Sequence, residues 1–440
     1  MNGQEWLAIT AVLVGLLGIV PLVGRLALVL KASPEVARKT VHVSMGLTCA
    51  VFPWIFDRPL PVWILAGIAT FPLLLVRMIP SLREGAGAAL HGVKRPSYGE
   101  LLFAPSVAVV FHWAAGDAIL YLIPILILTV ADAAGALAGT RWGKRRYGAG
   151  DGFKTAEGST IFLITAFLCV WLPLIISGRM DPLHAFWVAV TLATLGMMGE
   201  GLSDRGFDNL VLPVGGVFVL DRLLELDVPS LFWRFVVLLL LLILTLRGSR
   251  WSSLSGGALL GSAMLGYGCA VIADWRYALP PVAVFIAHLF TTRKHQLYWV
   301  FDHRLDTVLC HTISCLPWVL AMRAGWITDL VGLAGISFSM ACQLAILDTS
   351  TRAWLVEKEV TPLRSCGKGW LIAALPGLIW FWPSFQPLWI AVIIGIGVTL
   401  VVTLIFEWIR ARYRGHETGL WMIKGSLALC ASFPALLIKP

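Results

Sequence analysis

The chain has 440 residues, of which 58% are hydrophobic and 13% charged, and its mean hydropathy is +0.83. That composition excludes an ordinary soluble domain, whose elements would alternate apolar and polar faces, and places the chain in a bilayer. The net charge of +9 reads as basic loops beside anionic lipid; no soluble recognition fold interleaves those residues, so nucleic acid is not an expected partner.

In chain order, "MNGQEWLAIT" lacks the basic opening of a cleaved signal, so the first apolar run is expected to be a retained span. Apolar runs between charged or Pro/Gly breaks fall near 6–30, 43–56, 62–76, 101–113, 118–140, 160–177, 184–199, 210–220, 230–246, 254–273, 277–292, 305–322, 329–347, 370–383, 388–409 and 419–437. The expected fold class is therefore all-α, a polytopic integral membrane protein with about 14–16 transmembrane helices. The runs 101–113, 210–220 and 370–383 are short and are expected to be tilted, broken or re-entrant. A change of loop character near residue 250 divides the chain into domains at 1–245 and 246–440. Twenty tryptophans, many near run ends, fit interfacial belts, and eight scattered cysteines without a CxxC read as small buried hydrophobes.

With the N-terminus outside, the inner loops are 31–42, 77–97, 141–158, 200–209, 247–252, 293–304, 348–369 and 410–418. They hold 25 of the 34 Lys and Arg residues, an imbalance that supports this orientation because basic residues resist translocation. The polar stretches of the first half then face the cytoplasm, where nucleoside triphosphates are.

Three of those stretches combine acids and bases. In "ARKTVHVSMG", Arg38 and His42 are four apart and share a helix face, beside Lys39. Anchoring accounts for the basic pair, whereas His42 at the mouth of a span adds a group able to move a proton near neutral pH. The stretch "DAAGALAGTRWGKRRYGAGDGFKTAEGST" starts with Asp132, an ionisable group near the end of a span, where it is costly and usually functional. Small residues from Ala133 to Gly139 suit close helix packing. Gly143, Lys144 and Lys154 suit a phosphate, and Thr155, Glu157, Gly158 and Ser159 open the next helix, whose N-terminus favours an anion. The spacing is not that of a Walker A loop. Paired acid and base is what a magnesium–triphosphate requires. In "GEGLSDRGFDNLVLP", Glu200, Asp208, Asn209 and Pro213 read either as a solvated connection or as oxygen ligands and acceptors for a substrate hydroxyl.

The order RKxxH, DxxGxxxGxxxGK, KTxEGS, then Glu followed by DNxxxP resembles the dolichol kinase/phytol kinase family. The matching residues are Arg38, Lys39 and His42; Asp132, Gly135, Gly139, Gly143 and Lys144; Lys154, Thr155, Glu157, Gly158 and Ser159; and Glu200, Asp208, Asn209 and Pro213. Gly135 stands where family members often have alanine. The resemblance implies an integral-membrane enzyme that transfers the CTP γ-phosphoryl group to a lipid alcohol. The catalytic candidates are Asp132, His42, Asp208 and Lys154. Asp132, Glu157 and Asp208 are the candidate Mg²⁺ ligands. Nucleotide binding falls to Arg38, Lys39, Gly139, Gly143, Lys144, Lys154, Thr155, Glu157, Gly158, Ser159 and Asn209. Lys154, Lys144 and Arg38 would neutralise phosphoryl charge, and His42 or Asp208 would accept the alcohol proton.

The second half lacks a comparable constellation. "LDTSTRAWLVEKEVTPLRSCGKG" faintly resembles the phytyl-phosphate kinase family, keeping Asp348 and Thr349 of its DTxxSE pattern but with Arg352 and Ala353 in place of its Ser and Glu. A half that only packs or holds lipid is the simpler expectation. Two other readings of the whole chain remain: a phosphatidate cytidylyltransferase, whose family has a feature similar to "KTAEGS", and a transporter or scaffold. A transporter would carry charges deep in several spans, whereas here they gather toward one face.

Overall fold

The computed structural model describes residues 1–78, 98–149, 152–202, 206–248, 254–294, 305–354, 361–379 and 385–438. The expected loops 77–97, 247–252 and 293–304 fall wholly or largely outside these residues, as do 203–205 and 355–360 of two others. By internal packing the chain divides into two units, Met1–Val237 and Leu238–Pro440.

The first unit contains α1 (Gly3–Val29), α2 (Pro34–Ala50), α3 (Pro59–Met78), α4 (Gly99–Ala114) and α5 (Ala118–Leu126). A π-helical turn (Ile127–Ala131) joins α5 directly to α6 (Asp132–Trp142). A two-stranded antiparallel hairpin follows, β1 (Arg146–Ala149) and β2 (Gly152–Thr155), with Tyr147 opposite Lys154. After it come α7 (Ala156–Ile176), α8 (Pro182–Leu202), a short α9 (Asp208–Leu210), a second π turn (Val211–Gly215), α10 (Gly216–Leu223) and α11 (Val228–Gly248), which carries the boundary between units. The second unit continues with α12 (Gly256–Ile272), α13 (Leu279–Lys294), α14 (Leu305–Arg323), α15 (Asp329–Trp354) and α16 (Pro362–Gly369). A third π turn (Trp370–Ala374), α17 (Leu375–Leu378), α18 (Phe385–Arg412) and α19 (Glu417–Ala431) complete it.

Every apolar run read from the sequence has a helical counterpart here. Nine helices among the described residues are long and apolar enough to cross a bilayer, and Pro59–Leu75, Gly99–Ala114 and Gly256–Ile272 are shorter apolar helices. The protein is thus an all-α polytopic membrane protein. A π turn interrupts the helix in two of the short runs, 210–220 and 370–383, and also in the long run 118–140, whereas the short run 101–113 is a continuous helix.

Local sequence explains where helices start. Ser33 caps α2 with Pro34 in its first turn, Asp117 accepts from the backbone of Ile119 and Leu120 at 3.0 Å each, and Thr155 caps α7 through Gly158 N at 3.2 Å. Without water in the hydrocarbon layer, the helix interior must satisfy its own backbone groups, so such caps gather at the ends. Burial then sorts the helices. α15 is the core of its unit, with 89% of its apolar window covered, while α11 is only 11% covered and turns Trp233, Leu244 and Leu246 outward. Outward leucines cost nothing in lipid, which is why these helices show no polar face.

Candidate functional site

The N-terminal turns of α2 bring Arg38, Lys39 and His42 to one end of the first unit. Arg38 turns outward and pairs with Glu35 at 2.6 Å, its side chain 57% exposed. Lys39, only 4% exposed, turns inward, and its Nζ lies 2.6 Å from Asp132 Oδ2. His42 Nε2 is 3.6 Å from the same carboxylate oxygen. The face shared by chemistry is therefore Lys39 with His42, three apart, rather than Arg38 with His42; the helix is rotated so that Lys39 meets the buried acid. His42 Nε2 also lies 3.1 Å from the Leu128 carbonyl. A carbonyl only accepts, so Nε2 carries the proton and Nδ1 is the nitrogen left for a proton from elsewhere.

The π turn at Ile127–Ala131 sits immediately before Asp132. One extra residue in that turn sets the phase with which Asp132 and Leu128 face α2, a placement often found at functional positions. Close approach of α2 is secured by Gly46, where a Cβ would collide with Thr129. The second π turn packs against the first and begins three residues after Asp208.

Asp208 and Asn209 anchor the other wall. Asn209 Nδ2 donates to the Gly99 carbonyl at 2.8 Å, tying this segment to the start of α4, and Asp208 Oδ1 accepts from Asn209 N at 3.0 Å. Burial raises the Asp208 carboxyl above the usual carboxylate range. The Asp132 charge adds to that, against the pull of Lys154 and Lys39. Lys154 reaches in from β2 to pair with Glu200 at the end of α8. Its burial favours the neutral amine, but Glu200, Asp208 and Asp132 outweigh that and hold the ammonium above the ordinary lysine value. So the structure brings Asp132, Lys154 and Asp208 within electrostatic reach of one another, with Lys39, His42 and Glu200 around them. Arg38 at the rim also feels Asp132 and Asp208.

Other expected residues have different partners. Glu157 accepts from the backbone of Lys144 at 3.1 Å and of Arg145 at 3.2 and 3.3 Å, so its carboxylate closes the loop before the hairpin. Gly135, Gly139, Gly143 and Gly158 line the seam between α6 and α7. A Cβ on Gly158 would stand 2.8 Å from the Gly135 carbonyl and 2.9 Å from Thr155 Oγ1, so this row of small residues sets helix spacing. Ser159 Oγ is 2.6 Å from the Tyr147 hydroxyl. Tyr147 was not singled out from the sequence; its position opposite Lys154 becomes visible only with the hairpin register. Pro213 is buried within the second π turn.

Two observations bear on a divalent cation. Glu200 Oε2 is buried without a hydrogen-bond partner, and Asp208 shares its region with the Asp132 charge. Both describe carboxylate oxygen in excess of the local donors. Among the described residues no three His, Cys, Asp or Glu side chains form a self-sufficient metal cluster. Mg²⁺ held by one or two carboxylates and by the phosphates of a substrate needs no such cluster, and Asp132 with Asp208 fits that arrangement.

The fold and the site together define a multi-pass membrane protein with a buried, mixed-charge centre at the ends of its helices. No family model matches the chain, and no solved structure matches it. Over 208 residues the chain is 30% identical to a phytol kinase from Synechocystis sp., a match spanning 46% of this chain and 86% of that protein. The chain belongs to the phytol kinase/dolichol kinase-like family.

Proposed function

We propose that this protein transfers the terminal phosphoryl group of CTP to the hydroxyl of an isoprenoid-type lipid alcohol at the cytoplasmic membrane face. The observation that carries the reading is the convergence of Lys154 and Asp208, from β2 and α9, on the buried Lys39–Asp132 pair between α2 and α6. Family membership supports a phosphotransferase acting on an alcohol, and the four sequence blocks all lie within the first unit.

In this reading the alcohol oxygen attacks the γ-phosphorus, the bond to the β,γ-bridging oxygen breaks, and CDP leaves. Asp132 and Asp208 would hold Mg²⁺, which would supply positive charge against the phosphates. Lys39 holds the Asp132 carboxylate in one orientation. Lys154, kept protonated by its acidic neighbours, offsets charge on the transferring group; fixed charges of this kind are most of what such a loose transition state requires. Arg38, at the exposed rim, meets the nucleotide first. The proton of the alcohol goes to Asp208 or to His42 Nδ1.

The test is turnover of purified protein in nanodiscs with γ-labelled CTP, Mg²⁺ and a panel of long-chain alcohols and phosphatidate. Label in a lipid monophosphate is the expected result, and Asp132→Asn should abolish it while insertion is retained. Label appearing only in pyrophosphate, with phosphatidate consumed, would replace this reading with cytidylyl transfer. No turnover across the panel would leave a non-catalytic membrane protein.

A further inference from the structure

The second unit contains a cavity of about 390 Å³ between α13, α15 and the α16–π segment, within the roughly 300–1,000 Å³ span of small-molecule sites. Its floor is the buried Leu344; Ile286, Phe290 and Ile372 form walls that are themselves partly open on the outer side. One end is polar. There Asp348 Oδ1 accepts from Lys368 Nζ at 2.9 Å, and Oδ2 accepts from Ser365 Oγ at 2.7 Å. The Asp348 side chain is largely buried and that of Lys368 is part-exposed.

We propose that this cavity is a second lipid site, which takes the tail of a long-chain alcohol along Ile286, Phe290 and Ile372 and its hydroxyl at Lys368. The apolar walls, open on one side, admit a chain from the surrounding bilayer, and the polar end fixes which end of the lipid stops there. The head-group chemistry follows from donor accounting. Both Asp348 oxygens already have a donor, whereas an ammonium has three N–H groups and Lys368 spends one on Asp348 among the described residues. The free capacity is therefore for an acceptor. An anionic head is disfavoured, because among the described residues Asp348 offsets the Lys368 charge at 2.9 Å and would face a phosphate or carboxylate with like charge. A neutral hydroxyl oxygen accepts from Lys368 without that repulsion. The choice of an alcohol among neutral lipids rests on the proposed kinase reading; the cavity and its paired polar end do not.

The test uses the full chain in phosphatidylcholine nanodiscs with a diazirine-bearing C20 isoprenoid alcohol, irradiated and mapped by peptide mass spectrometry. Adducts are expected on residues 283–290 and 344–348. Unlabelled alcohol should displace them at roughly tenfold lower concentration than its phosphate monoester or a saturated hydrocarbon of equal length, the margin of one charge-assisted hydrogen bond. Ile372→Trp, which fills the cavity from its outer side, should remove them. Equal competition by the hydrocarbon would show ordinary boundary lipid, and stronger competition by the monoester would overturn the head-group argument. Both competitions read the unaltered protein. Asp132→Asn should keep the adducts while losing phosphoryl transfer. Adducts absent from a protein that still phosphorylates alcohols would refute this site alone; adducts present without turnover would refute the kinase reading alone.

Discussion

Replacing Lys39 by methionine tests the centre of the first unit most directly. Lys39 and Asp132 are each 4% exposed and meet at 2.6 Å, with His42 a further 1.0 Å away from the shared oxygen (3.6 Å less 2.6 Å). Methionine fills most of the lysine volume, so the substitution chiefly removes the charge. It strands a buried carboxylate, and breaking a buried pair from one side costs about 3–5 kcal/mol. For a unit of this size 1 kcal/mol corresponds to roughly 2–4 °C, so the melting midpoint should fall by roughly 6–20 °C. The double variant Lys39→Met/Asp132→Asn removes both charges and should recover much of the loss, with an interaction term of about 1–3 kcal/mol, while phosphoryl transfer stays absent. The assay is thermal unfolding in detergent with a thiol-reactive fluorophore, which suits this chain because seven of its eight free cysteines are buried or partly buried. An unchanged midpoint in Lys39→Met, or a double variant no more stable than the single, would refute the claim that this pair balances a buried charge.

Glu157→Gln keeps an acceptor for the Lys144 and Arg145 backbone groups and should shift the Mg²⁺ requirement of turnover by less than about tenfold, below the 10–100-fold range seen when even supporting residues of a metal site are lost; a larger shift in a Mg²⁺ titration would return Glu157 to the metal. Gly158→Ala should part α6 from α7, because the new Cβ meets the Gly135 carbonyl at 2.8 Å, and should lower stability by about 1–3 kcal/mol, read as a lower melting midpoint. In the second unit Lys424 is 2% exposed, lies 5.0 Å from the Trp421 ring centroid and has no carboxylate ion pair among the described residues. Lys424→Met should therefore leave stability unchanged or raise it by roughly 1–2 kcal/mol, and a large loss would mean that the lysine has an anionic partner.

How far sequence reaches differs between helices and site. The apolar runs anticipated the long helices because, in a bilayer, hydrophobic length and backbone self-satisfaction both act along the chain; α16 and the first turns of α2, which are polar, lie in stretches read as loops. Asp132 stood out for the same reason: a carboxylate is conspicuous where every neighbour is apolar. Arg38 was grouped with His42 by four-residue spacing, yet Lys39 is the residue that turns inward. That choice depends on the rotation of α2 against the π turn before Asp132, and Gly46 on Thr129 fixes it. The family glycines read equally well as a phosphate cradle or a helix seam, and only the α6–α7 packing showed Gly158 against Gly135. Glu157, one of four acids in the motif blocks, was indistinguishable by type from Asp208 until the backbone groups of Lys144 and Arg145 were seen to occupy it.

By itself the sequence determined that this chain is a helical membrane protein, where its apolar helices lie, and which polar residues are too costly to be idle. The tertiary structure alone decided which of those residues meet: Lys39 with Asp132, Lys154 with Glu200, and Asp348 with Lys368 and Ser365. Burial energy is set residue by residue and can be read along a line. Pairing depends on helix rotation and close approach, which π turns and glycines at helix contacts set between segments far apart in the chain.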